Sequence, residues 1–127
     1  MNNAMRHKRA MRRVRGLTLV ELMVVVAVMA IIATIAYPIY TNQVQKSRRA
    51  DAKVALERVA LAQERWYTLN GSYVVTLGTL QLDPTSDNGY YNITLAGGGQ
   101  TFTATATATG AQSDDTTCAT FTVDQLG

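Results

Sequence analysis

Residues 13–38 read RVRGLTLVELMVVVAVMAIIATIAYP, and the reading of Glu21 within them decides the fold. From Leu17 to Tyr37 the chain is apolar or small apart from Thr18, Glu21 and Thr34. A helix of this length, at about 1.5 Å per residue, spans roughly 30 Å, the hydrocarbon thickness of a bilayer. A secretory signal has a shorter, uncharged apolar region. A plain membrane anchor fits the length but leaves Glu21 unexplained, since a carboxylate in hydrocarbon costs about 2.5–3.5 kcal/mol on insertion scales. A cut between Gly16 and Leu17 supplies a partner. It creates an α-amino group at Leu17, and Glu21 becomes the fifth residue, one helical turn away. In apolar surroundings the ammonium and carboxylate attract, although both are desolvated. If the amine belongs to a neighbouring chain, the pair sets the axial register of two helices.

Charge follows the same division. Arg6, Lys8, Arg9, Arg12, Arg13 and Arg15 precede Gly16 with no acidic residue among them, which predicts a cytoplasmic N-terminus. The net charge is +3, yet the part after Gly16 carries six basic and nine acidic residues, −3. The basic balance thus belongs to the leader, and nucleic acid is an unlikely partner on this reading. His7 and Cys118 are the only histidine and cysteine. They assemble neither a Cys/His metal site nor a convincing histidine-based triad, so no metal, cofactor or catalytic residue is implied.

Pro38 lacks an N–H and its ring opposes the carbonyl of Thr34, so a kink is expected there. Beyond it, Ala52, Ala55, Leu56, Val59, Ala62, Trp66 and Leu69 recur at helical spacing. Gln45, Arg48, Arg49, Lys53, Glu57, Glu64 and Arg65 fill much of the remaining surface, with Lys53 and Glu57 placed to pair. Asn70-Gly71 predicts a C-terminal cap, which sets the helix end at about residue 69. Residues 72–89 read as a loop, with turn signals at Asp83-Pro84 and Asp87-Asn88-Gly89. Three alternating stretches follow over residues 90–127. Tyr91, Ile93 and Leu95 carry the first. Phe102, Ala104, Ala106 and Ala108 carry the second, and Ala119, Phe121 and Val123 the third. Gly97-Gly98-Gly99 and Ala111 to Thr116 separate them as turns. The pattern predicts an antiparallel sheet whose apolar face covers the helix and whose threonine face meets water.

Gly16-Leu17-Thr18-Leu19-Val20-Glu21, set between basic residues and the apolar run, resembles the class III leader of type IV prepilins. RRADAKVALERVALAQERWYTLNGSY and SDDTTCATFTVDQLG look most like minor pilins of the type IVa pilus. The resemblance implies an α+β fold: one long helix, with a membrane half and an amphipathic half kinked near Pro38, packed on a small antiparallel sheet. It implies a cleaved leader (1–16), a membrane or filament-core helix (17–37) and a periplasmic head (38–127). It also implies cleavage after Gly16 by the prepilin peptidase, N-methylation of Leu17, and Glu21 as the assembly glutamate. The partners implied are other major and minor pilins, the inner-membrane assembly platform, and the membrane before assembly. The precursor sits in the inner membrane and the product in an extracellular filament.

Three departures from the family stand out. Leu17 replaces the usual phenylalanine, and Ala30 stands where many pilins carry glycine eight residues before the proline. Relatives also commonly close a C-terminal loop with two cysteines, whereas Cys118 is unpaired within this chain. Either the chain continues beyond Gly127 or this variant lacks the loop. The thiol is free, pairs between chains, or is buried and inert.

The leading reading is a structural minor subunit of a type IV pilus. A type II secretion pseudopilin shares the same leader and first helix. An adhesin or DNA-uptake receptor remains a third reading, with Tyr90, Tyr91 or Trp66 as candidates for stacking on a ligand. A core role is the simpler account of each. The cluster Lys46-Ser47-Arg48-Arg49 reads as a solvated helix face. Glu57 and Glu64 suggest no catalytic pair.

Overall fold

A computed structural model describes residues 16–127. Of the basic leader expected over 1–16, all but Gly16 therefore lies outside the described residues. One long helix, α1 (Leu19–Asn70), precedes three strands: β1 (Tyr91–Gly98), β2 (Thr101–Ala108) and β3 (Thr120–Asp124). The backbone contacts divide the chain into two units, the second being Pro38–Gly127.

In the first unit the apolar residues of α1 are exposed, Val24, Met29 and Ile32 among them. Length and composition suffice for this stretch to cross a membrane. The side chains are as apolar as a protein core but have no cover among the described residues, so they need lipid or other helices. Helical backbone continues through Pro38.

In the second unit α1 packs on the sheet. Ala52, Leu56 and Val59 meet Tyr91, Ile93, Phe102, Ala104 and Ala106 in a single buried cluster. The sheet is antiparallel in the order β1-β2-β3. Its register pairs Ile93 with Ala106 and Ala106 with Phe121, so the apolar positions of all three strands share one face. On the other face Thr94, Thr105 and Thr122 form one cross-strand row. The strict alternation from Thr101 to Ala108 produces this division, because successive strand residues point to opposite faces. The fold is the α+β, pilin-like arrangement that the sequence implies.

Several details differ from the sequence reading. Leu69 is 83% exposed, whereas Gln63 takes a fully buried helical position. Gln63 earns that position through hydrogen bonds. Its Nε2 donates to the Val74 carbonyl (2.6 Å), and the Val74 N–H donates to its Oε1 (3.2 Å). The segment expected to be a plain loop contains a short 3-10 helix, Leu77–Leu80. Its ends are tied to the sheet by the bridges Tyr73–Gly99 and Thr85–Asn92. β1 runs on into the glycines as far as Gly98. Gly97 sits at φ +98°, and a Cβ there would lie 2.7 Å from the Thr101 carbonyl oxygen. The close approach of two backbones is what requires glycine at this position. Lys53 and Glu57 do not pair; the ion pairs among the described residues are Arg49–Asp115 and Arg58–Asp87.

α1 ends as its sequence suggests. Gly71 adopts φ +69° and its N–H donates to the Tyr67 carbonyl at 2.7 Å. Left-handed glycine at this position closes a helix without a Cβ penalty.

Candidate functional site

The residues that the sequence singles out fall in two regions, one in each unit. In the first, Gly16, Leu17 and Thr18 precede the helix in non-helical backbone and are exposed. Leu17 is 74% exposed. Glu21 lies in the first turn of α1 and is exposed. Its N–H donates to Thr18 Oγ1 at 3.2 Å, and the Leu22 N–H donates to the Thr18 carbonyl at 3.1 Å. Thr18 is therefore the N-cap and Glu21 the third helical residue. Thr18-Leu19-Val20-Glu21 has the T-x-x-E spacing of a capping box. This adds a local reason for an acid at position 21: it sits where the unpaired N–H groups of the first turn favour negative charge. The spacing was available in the sequence, but attention to Glu21 as a membrane charge passes over it.

The second region lies in the second unit, around residues 45–49 of α1 and the turn that follows β2. Here the expectation of a solvated Lys46–Arg49 face is corrected. Lys46 and Ser47 are exposed, but Arg48 and Arg49 are half-buried and engaged. The Arg48 guanidinium lies over the Tyr90 ring, 4.6 Å from its centroid, in a cation–π contact. Arg49 donates from Nε to Asp115 Oδ2 (2.7 Å) and from Nη2 to Asp115 Oδ1 (2.8 Å). Asp115 is 2% exposed and Gln112 is fully buried. Gln112 Nε2 lies within hydrogen-bond distance of Asp115 Oδ2 (3.0 Å), the Tyr91 hydroxyl (3.1 Å) and the Gln45 carbonyl (3.3 Å), and its two N–H groups are shared among them. The Cys118 N–H completes the set on Asp115 Oδ1. Ala111 to Thr116, read as a polar turn from the sequence, are thus fastened to α1 through Gln112 and Asp115 by a buried ionic network. Hydrogen bonding from Arg49 holds the Asp115 carboxyl below the usual range, against the opposing effect of burial. Burial pushes the Tyr91 hydroxyl above its ordinary value.

The other singled-out residues divide clearly. Tyr91 is a fully buried core residue, while Tyr90 and Trp66 are half-buried. Cys118 carries a free, half-buried thiol. No group of three or more metal-ligating side chains occurs among the described residues.

A long helix with an apolar N-terminal half, a T-x-x-E start behind Gly16 and a three-strand sheet on its second half define a type IV pilin. Residues 11–37 match the prokaryotic N-terminal methylation motif. Residues 38–122, more than half of the chain, match the family described as type IV minor pilin ComP, DNA uptake sequence receptor, and the chain belongs to that family. No curated protein matches it. The methylation motif and the apolar helix together make the chain a membrane-anchored prepilin destined for a pilus. The family's description runs against the expectation that nucleic acid is an unlikely partner. That expectation rested on net charge, which says little about a local surface.

Proposed function

We propose that this minor pilin is cleaved between Gly16 and Leu17, methylated on the new amine of Leu17, and assembled into a type IV filament as a structural, non-enzymatic subunit. The exposed apolar half of α1 carries this reading, because it belongs to a methylation motif and has no partner among the described residues. In the membrane lipid covers it, and in the filament neighbouring helices do. Glu21 then meets the amine of an adjacent Leu17, which fixes register as the subunit enters. Repetition of a heterologous contact that does not close produces a helical filament. The prepilin peptidase, other pilins and the inner-membrane platform are the partners this route requires.

Glu21→Ala tests the assembly step. The variant accumulates in the membrane at the normal level and is depleted from sheared filaments. Normal levels in those filaments overturn the pairing mechanism. A pseudopilin shares the first unit, and the head's match to a minor pilin family favours the pilus.

A second reading, DNA-uptake receptor, is favoured by the description of that family. Lys46, Arg48 and Lys53 lie on the membrane-proximal turns of the head, and Arg48 stacks on an aromatic ring there. Gel shifts of the detergent-solubilised chain with duplex DNA at two salt concentrations test it. Binding that weakens steeply with salt supports it, and no binding at the lower salt rejects it.

A further inference from the structure

A cleft of about 540 Å³ runs between residues 44–54 of α1 and the turn Asp87–Tyr90, with Val44, Arg48, Asp51, Val54, Asn88 and Tyr90 among its walls. Asp51 is nine-tenths buried there. Its Oδ1 accepts from Asn88 Nδ2 (3.0 Å) and the Asn88 N–H (3.4 Å). Its Oδ2 is buried with no hydrogen-bond partner. The nearby cations are committed elsewhere. Arg48 covers Tyr90, and Arg58 holds both oxygens of Asp87 at 2.7 and 2.8 Å. An unpaired buried carboxylate oxygen is unfavourable, and a donor that completes it gains more than an ordinary surface contact does. The donor set is too small for a metal ion, since a single carboxylate is free and no metal-ligating cluster occurs among the described residues. The walls Val44 and Val54, the latter 47% exposed, suit an apolar stem with a cationic tip.

We propose that this cleft receives a lysine or arginine side chain from the head of an adjacent pilin, its cation completing Asp51. The proposal rests on the filament reading and adds a specific head-to-head contact to it. Charge complementarity chooses the occupant: the unpaired atom is a carboxylate acceptor, which a DNA phosphate cannot use.

The test places a benzophenone amino acid at Val54 of the full chain, in cells that assemble these pili. Sheared filaments are irradiated and adducts identified by mass spectrometry. The expected adduct is to a lysine- or arginine-bearing pilin peptide. Asp51→Asn, which removes one charge-assisted contact, lowers its yield about tenfold. In an otherwise native chain, Val54→Lys fills the cleft with the chain's own ammonium. It depletes the subunit from sheared filaments to a similar degree and serves where Asp51→Asn fails to accumulate. Adducts only to nucleic acid or lipid, no adduct, or a yield and an incorporation indifferent to both substitutions overturn the proposal. Absence of the native chain from sheared filaments overturns the filament reading itself. Its presence with indifferent substitutions overturns the cleft alone.

Discussion

Arg49 and Asp115, 66 residues apart in sequence, are joined by two hydrogen bonds of 2.7 and 2.8 Å in fork-to-carboxylate geometry. Asp115's side chain is 1% exposed and Arg49's 21%. Removing only the arginine strands a buried carboxylate, which is worse than removing the pair. Arg49→Ala is therefore expected to lower the thermal midpoint of the head by several degrees, and Arg49→Ala/Asp115→Ala by less. Thermal unfolding of the single and double variants, followed by circular dichroism, checks the order. Additive losses contradict it.

The same pair sets a pH dependence. The folded Asp115 carboxyl titrates below its unfolded value, so its contribution is present above the unfolded aspartate value of about 3.9 and is lost as pH falls through the folded value. Asp87 is lowered too, by Arg58, but that pair is half-exposed and screened by salt. Denaturant midpoints of the native head should fall as pH drops below about 4, and more shallowly in Arg49→Ala. Equal slopes in the two proteins contradict this assignment.

Gln63 offers a test of a buried polar clamp. Gln63→Leu keeps the volume roughly constant but leaves the Val74 N–H and carbonyl without their partner. The expected loss is about 1–3 kcal/mol in denaturant unfolding, despite the more apolar side chain. An unchanged or raised stability contradicts the clamp.

Gly97 and Gly99 should behave differently although both have positive φ. A Cβ at Gly97 meets the Thr101 oxygen at 2.7 Å, whereas one at Gly99 meets nothing within 4 Å. Gly97→Ala is expected to cost about 2 kcal/mol or more, and Gly99→Asn, which suits a left-handed turn, well under half of that. Denaturant melts of both variants decide it, and similar losses contradict the close-approach argument.

The parts of the fold that obey a local period were legible from the residues. Alternation at Phe102, Ala104 and Ala106 gives β2 and its buried face, and Asn70-Gly71 gives the end of α1. Residues whose burial depends on a distant partner were not. Asp115 and Gln112 belong to a polar stretch by composition, and distant partners such as Arg49 and Tyr91 bring them inside. Gln63 interrupts an apolar stripe and is buried because Val74 presents an unpaired backbone to it. Arg48 and Arg49 sit side by side in a basic run, yet each is taken by a separate partner that helical periodicity does not reveal. At the N-terminus the position of Glu21 was legible, while the role of Thr18 as N-cap follows from its bond to the Glu21 N–H.

The most direct test of the account is the intact mass of the chain recovered from sheared filaments. The account predicts a polypeptide that begins at Leu17 and carries one added methyl group. A chain in working filaments that still bears residues 1–16 contradicts it, because no amine then exists at Leu17 for Glu21 to meet.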